Sequence, residues 1–119
     1  MTLKKAKWKE FFKEGKELIL ATCSKDGRPN ANIVISLGFV GDKLLIADCQ
    51  METTIKNLEE TRKICIVSGY YKLRGSVKVY STGKYFDLCV QKTKENTVKN
   101  AVLVNVKEVF DLDKVKKIL

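Results

Sequence analysis

Short apolar segments alternate with turn residues along most of the chain, a pattern typical of β-strands. The turn KDGRPN, with its Asp-Gly signal, separates the first two segments, and GDK separates the second from the third. Connections this short predict antiparallel neighbours. The six predicted strands cover residues 17–24, 31–40, 44–49, 63–71, 73–83 and 100–112.

Helical spacing of apolar residues predicts two to four short helices. Trp8, Phe11 and Phe12 lie three and four positions apart, which predicts an amphipathic helix that packs on the strands. The final residues, DKVKKIL, predict a terminal helix capped by Asp111 or Asp113. The four candidate helices cover residues 4–15, 53–61, 84–97 and 113–119.

Six strands and a few short helices predict a mainly β fold. A small closed or nearly closed antiparallel barrel fits this content, because closure hides the edges of strands this apolar. The chain has 119 residues, of which 45% are apolar, enough for one core. We therefore expect a single domain over residues 1–119.

The net charge of +9 favours an anionic partner such as a phosphorylated small molecule or a nucleic acid. The lysines are interleaved with acidic residues, which is typical of solvated surfaces, and nucleic-acid binding is an unfavoured alternative. It would need the stretch YYKLRGSVKVY to present aromatic and basic side chains together. No apolar stretch is long enough to span a membrane, and the first residues, MTLKKAKWKEFFKEGK, are too charged for a signal peptide. We expect a cytoplasmic protein.

Histidine is absent from the sequence, which excludes histidine-based catalysis. The four cysteines stand apart at Cys23, Cys49, Cys65 and Cys89, without the paired spacing of a zinc site. Each lies in an apolar run, so we expect four small buried side chains and no metal site.

The segment IADCQMETTIKNLEET combines the end of an apolar strand with the start of a helix. Thr53 or Thr54 can cap that helix. The free N–H groups of a helix start also suit a phosphate, and two threonines in succession add hydroxyl donors. Both interpretations fit the residues themselves.

Three segments in order resemble the FMN-binding split-barrel family, which includes pyridoxine 5′-phosphate oxidase and small bacterial FMN-binding proteins. The segments are ILATCSKDGRPNANIVISLGF, DKLLIADCQMETTIKNLEETRKICIV and LRGSVKVYSTGKYFDL. Met51, Thr54, Asn57 and Leu58 occupy matching places at the helix start, whereas Thr53 stands where the family often has a basic residue. The resemblance covers nearly the whole chain and implies a six-stranded antiparallel split β-barrel of the Greek-key type.

The resemblance also implies a set of FMN-binding residues. Backbone groups of Ile33–Ser36 would contact the polar edge of the flavin ring. Asp48 would either contact the ribityl hydroxyls or simply begin the turn after its strand. Thr53 and Thr54 would hold the phosphate. Lys56 is the nearest replacement cation, and the sequence leaves open three others from other elements or a partner chain: Lys72, Arg74 and Lys84. Along this strand we expect Ile33 and Ile35 to point into the barrel. The complete predicted site is Asn32, Ile33, Val34, Ile35, Ser36, Ala47, Asp48, Met51, Thr53, Thr54, Lys56 and Asn57.

The activity implied by the resemblance is a small FMN-dependent oxidoreductase or electron-transfer protein. Family members are homodimers with the flavin at the interface, so we expect a homodimer and an unidentified redox partner. True pyridoxine phosphate oxidases use a histidine-containing substrate pocket, which this sequence lacks, so that particular activity is not expected. The alternative is a barrel that binds heme, a deazaflavin or another ligand without redox turnover. No catalytic side chain is predicted.

Overall fold

The computed structural model describes residues 7–94 and 97–119. The strands are β1 (Glu17–Cys23), β2 (Pro29–Val40), β3 (Lys43–Asp48), β4 (Lys63–Ser68), β5 (Tyr71–Tyr80), β6 (Asn100–Asp111) and β7 (Lys116–Lys117). Two α-helices, α1 (Glu52–Thr61) and α2 (Lys84–Thr93), and a 3-10 helix (Lys7–Phe11) complete the fold.

The six long strands form one antiparallel barrel. Their order is β3-β2-β1-β4-β5-β6, and pairing between β3 and β6 closes the barrel. The short β7 pairs with the end of β6. The predicted mainly β fold, a six-stranded antiparallel split barrel with short helices, is confirmed.

The barrel interior is filled by alternate apolar residues of each strand. On β1, Leu18 and Leu20 are fully buried, and Ile19 between them faces outward. Trp8 and Phe12 pack edge to face against the same core, with ring centroids 5.9 Å apart. The predicted packing role of this aromatic stripe is confirmed. Trp8 and Phe11 lie on a 3-10 helix that ends at Phe11, earlier than the predicted end at residue 15, and positions 4–6 of the predicted helix lie outside the described residues.

The predicted orientation of β2 is wrong for its first half. Ile33 and Ile35 are 70% and 50% exposed, whereas Val34 packs against the core. Register with β1 explains the reversal, because Ile33 lies opposite Ile19 and Ile35 opposite Glu17, both on the outer face of β1. The two strands must present the same face outward. An irregularity between Ser36 and Phe39 then turns the rest of the strand.

The predicted terminal helix is also wrong. The carboxylate of Asp111 accepts hydrogen bonds from the N–H groups of Asp113 and Lys114, both at 3.0 Å, and so closes a turn. A local bond of this kind competes with helix formation. After the turn, Lys116–Lys117 pairs with β6 instead. The turn residue Val115 has a positive φ of 52° and a side chain that is 86% exposed.

The cysteines are less uniformly buried than predicted. Cys89 is fully buried and Cys23 is exposed, with Cys49 and Cys65 between them. Burial raises the pKa of Cys89 to about 11, with a smaller contribution from Cys49, and burial also raises the pKa of Cys65. The described residues contain no group of three or more side chains suited to a metal ion. None of their helices is long and apolar enough to cross a membrane.

Candidate functional site

The barrel is split along the first half of β2. One edge of this strand pairs with β1 from Pro29 to Ile35, but pairing with β3 begins only at Ser36, opposite Ile46. No other strand in the described part of the chain pairs with the second edge before Ser36. Successive backbone groups of a strand point to alternate edges, so every second residue of this half presents its N–H and C=O groups at the opening.

Helix α1 begins beside this opening, and a buried carboxylate fixes its start. Asp48 is 2% exposed and accepts hydrogen bonds from the Met51 N–H and the Asn100 side-chain amide, both at 2.7 Å. The N-terminal cap residue is Met51, whose side chain makes no capping hydrogen bond. The predicted threonine cap is therefore wrong. The sequence alone does not identify the group that stabilises the helix start, because that group, the Asp48 carboxylate, lies on the preceding strand.

The first turn of α1 leaves backbone donors without intrahelical acceptors. The first bond of the helix runs from the Ile55 N–H to the Met51 carbonyl, at 2.8 Å. The N–H groups of residues 52–54 precede it and have no carbonyl one turn earlier in the helix. A helix start with such donors has a partial positive charge that favours an anion.

A polar network joins α1 to the open half of β2. The Thr54 hydroxyl donates to Oδ1 of Asn32 and accepts a 3.0 Å hydrogen bond from the Asn30 amide, which also donates to Asn32 Oδ1 at 3.1 Å. With its oxygen held by two donors, the Asn32 amide nitrogen points the other way. No buried side-chain polar atom among the described residues lacks a partner, so this nitrogen is accessible to solvent. Thr54, which is only 1% exposed, thus orients Asn32.

A cleft of about 380 Å³ runs between the β1–β2 turn and one side of α1. Three cationic side chains, two carboxylates and three polar side chains line it: Ser24, Lys25, Asp26, Arg28, Thr53, Lys56, Asn57 and Glu60. We define these eight residues as the turn cleft. Sequence reasoning missed Lys25 and Arg28, although both stand in the KDGRPN turn immediately before the predicted ring-contacting strand.

The structure brings most of the predicted site residues to these two features. Thr53, Lys56 and Asn57 line the turn cleft, and residues 32–35 form the open half of β2. Besides Thr54, whose buried hydroxyl bonds Asn30 and Asn32, three of the predicted residues have their side chains committed within the fold. Asn57 donates to Thr22 Oγ1 at 3.0 Å, Asp48 holds the helix start, and Ala47 packs in a second core cluster.

Ser36 lies at the closed end of the split. Its hydroxyl donates to the Phe12 carbonyl at 2.6 Å. Its own N–H donates to Lys16 O, and its C=O accepts from the Gly15 N–H. Both backbone groups of Ser36 are therefore used within the fold, so of the predicted ring-contacting residues only Ile33–Ile35 lie on the unpaired strand edge.

Three exposed isoleucines lie on the outer face of β1 and β2, beside the exposed Glu17. Ile19, Ile33 and Ile35, which we define as the isoleucine face, are 47%, 70% and 50% exposed. Ile19 lies opposite Ile33 on one side and opposite Val67 of β4 on the other. Contiguous apolar surface of this kind marks an interaction site more often than isolated exposed residues do.

A six-stranded antiparallel barrel in which one strand leaves half of one edge unpaired is the architecture of the split-barrel class of proteins. Residues 5–116 match the family model PNPOx_N, described as pyridoxamine 5′-phosphate oxidase. The match covers most of the sequence, and the chain belongs to this family.

One curated relative and two solved structures illustrate the similarity. The uncharacterized protein MJ0282 of Methanocaldococcus jannaschii is 27% identical over 111 residues, covering 83% of this chain and 74% of the relative. HupZ from Group A Streptococcus has a TM-score of 0.76 and 17% identity, covering 85% of this chain and 88% of HupZ. An FMN-binding protein from Syntrophomonas wolfei has a TM-score of 0.64 and 18% identity, covering 78% and 74% of the two chains.

The same fold also occurs in proteins described by other ligands. An F420 reductase has a TM-score of 0.66 and 15% identity, covering 87% of this chain and 95% of the reductase. HutZ, the heme storage protein from Vibrio cholerae, has a TM-score of 0.64 and 15% identity, covering 87% and 91%. At these identities the structural likeness establishes the shared fold alone and does not identify the ligand of this chain.

Proposed function

We propose that the protein binds FMN and acts as a small oxidoreductase or electron-transfer protein. The observation that carries this proposal is the open half of β2 lying beside the turn cleft. A flavin ring needs backbone donors and acceptors in a row, and its phosphate needs cations and N–H donors. Both requirements are met by neighbouring elements.

The residues present fit FMN in three places. Backbone groups of Ile33–Ile35 would hold the polar edge of the ring, and the oriented Asn32 amide supplies a further donor. Thr53 and the first-turn N–H groups of α1 would bind the phosphate. FMN, when bound, supplies reversible hydride or electron transfer, for which the protein provides position and surroundings.

The residues of the chain favour FMN over heme and over a dinucleotide such as FAD. Heme proteins most often use a histidine ligand, and this sequence has none. A true pyridoxine phosphate oxidase activity also remains unfavoured for the reason given above. The sequence has no G-x-G-x-x-G fingerprint for the diphosphate of a dinucleotide, and FMN has a single phosphate.

A homodimer is part of the same proposal. The isoleucine face includes Ile33 and Ile35, which belong to the open half of β2, so a second copy covering this face would also border the flavin. Burial of three isoleucines on each protomer favours association. A cytoplasmic location is consistent with four free cysteines.

Titration of the ligand-free protein tests the proposal. FMN should bind about ten- to a hundredfold more tightly than riboflavin, because only FMN offers the phosphate to charged donors. FAD should bind more weakly than FMN, because its phosphate is esterified to a second nucleotide. Flavin fluorescence measures all three affinities. Equal affinity for FMN and riboflavin would refute the phosphate site, and equal affinity for FMN and FAD would refute a site for a single terminal phosphate.

A further inference from the structure

We infer that Arg28 and Lys25 of the β1–β2 turn, together with Lys56 of α1, supply the phosphate-binding cations that position 53 lacks. This inference rests on the proposed FMN function and assigns its phosphate specificity to particular side chains. Position 53 of this chain is a threonine, so a dianion at the start of α1 has no cation from that residue.

Internal hydrogen bonds hold the backbone of the turn in a fixed conformation. Ser24 closes it twice, because the Ser24 N–H donates to the Arg28 carbonyl and the Arg28 N–H donates to Ser24 Oγ, both at 2.9 Å. Gly27 adopts a positive φ of 91° at the tip, which favours glycine. A turn with this many internal hydrogen bonds presents Lys25 and Arg28 from a defined backbone.

One hydrogen bond ties the turn to the helix. The Lys25 N–H donates to Glu60 Oε1 at 3.2 Å, joining positions 35 residues apart in the chain. The turn therefore lies against the side of α1 that carries Lys56, and all three cations line the same cleft. A ligand in that cleft meets cations from both walls, together with one carboxylate from each wall, Asp26 and Glu60.

These cations have no carboxylate partner. None of the ion pairs found within residues 7–94 and 97–119 includes Lys25, Arg28 or Lys56. The two acidic residues of the turn cleft are engaged otherwise, since Asp26 accepts from the Ser24 hydroxyl and Glu60 accepts from the Lys25 N–H. Three cations against two carboxylates leave the turn cleft with a net charge of +1 (3 − 2), and this excess positive charge favours a dianion.

The exposure of the three side chains predicts how the site behaves in salt. Lys25, Arg28 and Lys56 are all exposed, so each contributes a modest, screened attraction rather than a buried ion pair. At about 1 M salt the screening length falls to about 3 Å, which removes most of that attraction. Phosphate recognition by these residues should therefore be salt-dependent, whereas contacts to the flavin ring should not.

The experiment measures FMN and riboflavin affinities of the full chain at low salt and at about 1 M salt. The variants are Arg28→Ala, Lys56→Ala, the double substitution, and Thr53→Lys. Lys107→Ala is the matched control, because Lys107 is exposed on β6, outside the turn cleft. The melting temperature without ligand confirms that each variant is folded.

Each single alanine variant should bind FMN about three- to tenfold more weakly at low salt, and the double variant more weakly still. Riboflavin affinity and the control should be unchanged, Thr53→Lys should tighten FMN alone, and the differences should shrink in high salt. A wild-type preference for FMN that survives unchanged in the double variant would overturn this inference and leave the proposed function standing. A wild-type protein without that preference would overturn both.

Discussion

Replacing Asp48 with alanine is expected to lower the free energy of unfolding by about 3 kcal/mol, the largest stability effect near the site. The substitution leaves the Met51 N–H and the Asn100 amide without the carboxylate oxygens that each contacts at 2.7 Å. Asp48 is 2% exposed, so water cannot readily replace those oxygens. Because the first of these donors begins α1, FMN binding should weaken together with stability.

Denaturant unfolding, with and without FMN, measures both effects. Asp42→Ala provides the matched control, because Asp42 lies exposed in the β2–β3 turn and should change stability by less than about 0.5 kcal/mol. Asp48→Asn keeps only one acceptor oxygen for the two donors, so it should also be destabilised. If Asp48→Ala unfolded at the same denaturant midpoint as the wild-type protein, the carboxylate would not be what holds the helix start.

Replacing Ile19 with aspartate should convert the proposed homodimer to monomers. Ile19 is the member of the isoleucine face on β1, opposite Ile33 of β2 on one side and Val67 of β4 on the other. An unpaired charge in a buried interface is costly, and we expect the dimer dissociation constant to rise at least about a hundredfold. The folded monomer should remain, because Ile19 is 47% exposed in the isolated chain. FMN affinity should fall in parallel if the flavin borders the interface.

Light scattering across a range of protein concentrations gives the mass directly. Val115→Asp is the control, because Val115 is an exposed apolar residue in the C-terminal turn, away from the isoleucine face. It should leave both mass and FMN affinity unchanged. A wild-type protein that is monomeric at every concentration, or an Ile19→Asp variant with the wild-type mass, would contradict the proposed interface.

The strand content of the barrel follows from local sequence because apolar runs and turn residues mark each strand directly. The predicted span 63–71 ends later than the observed β4, and 73–83 starts later than β5, because Gly69 and Tyr70 form the turn between them. The facing of β2 could not be predicted in the same way. Ile33 and Ile35 are more apolar than Asn32 and Ser36, so the local pattern favours the wrong face, and register with β1 decides which set faces out.

The site was partly predictable for a related reason. The helix start at Thr53-Thr54 is marked in sequence by a strand end followed by cap-forming residues. The actual stabilising group, Asp48, and the partner of Thr54, Asn32, come from other elements, and such tertiary contacts leave no local pattern. The turn cleft likewise arises only when the β1–β2 turn folds against α1 through Lys25 and Glu60.

Identification of the small molecule released on denaturation tests the central claim most directly. The protein should be purified without added flavin, and its visible spectrum and the mass of the released molecule should be recorded. We predict a yellow protein that releases FMN in an amount approaching one molecule per chain. A stoichiometric release of heme, a deazaflavin or another molecule in place of FMN would contradict the assignment, as would a colourless protein that fails to bind added FMN.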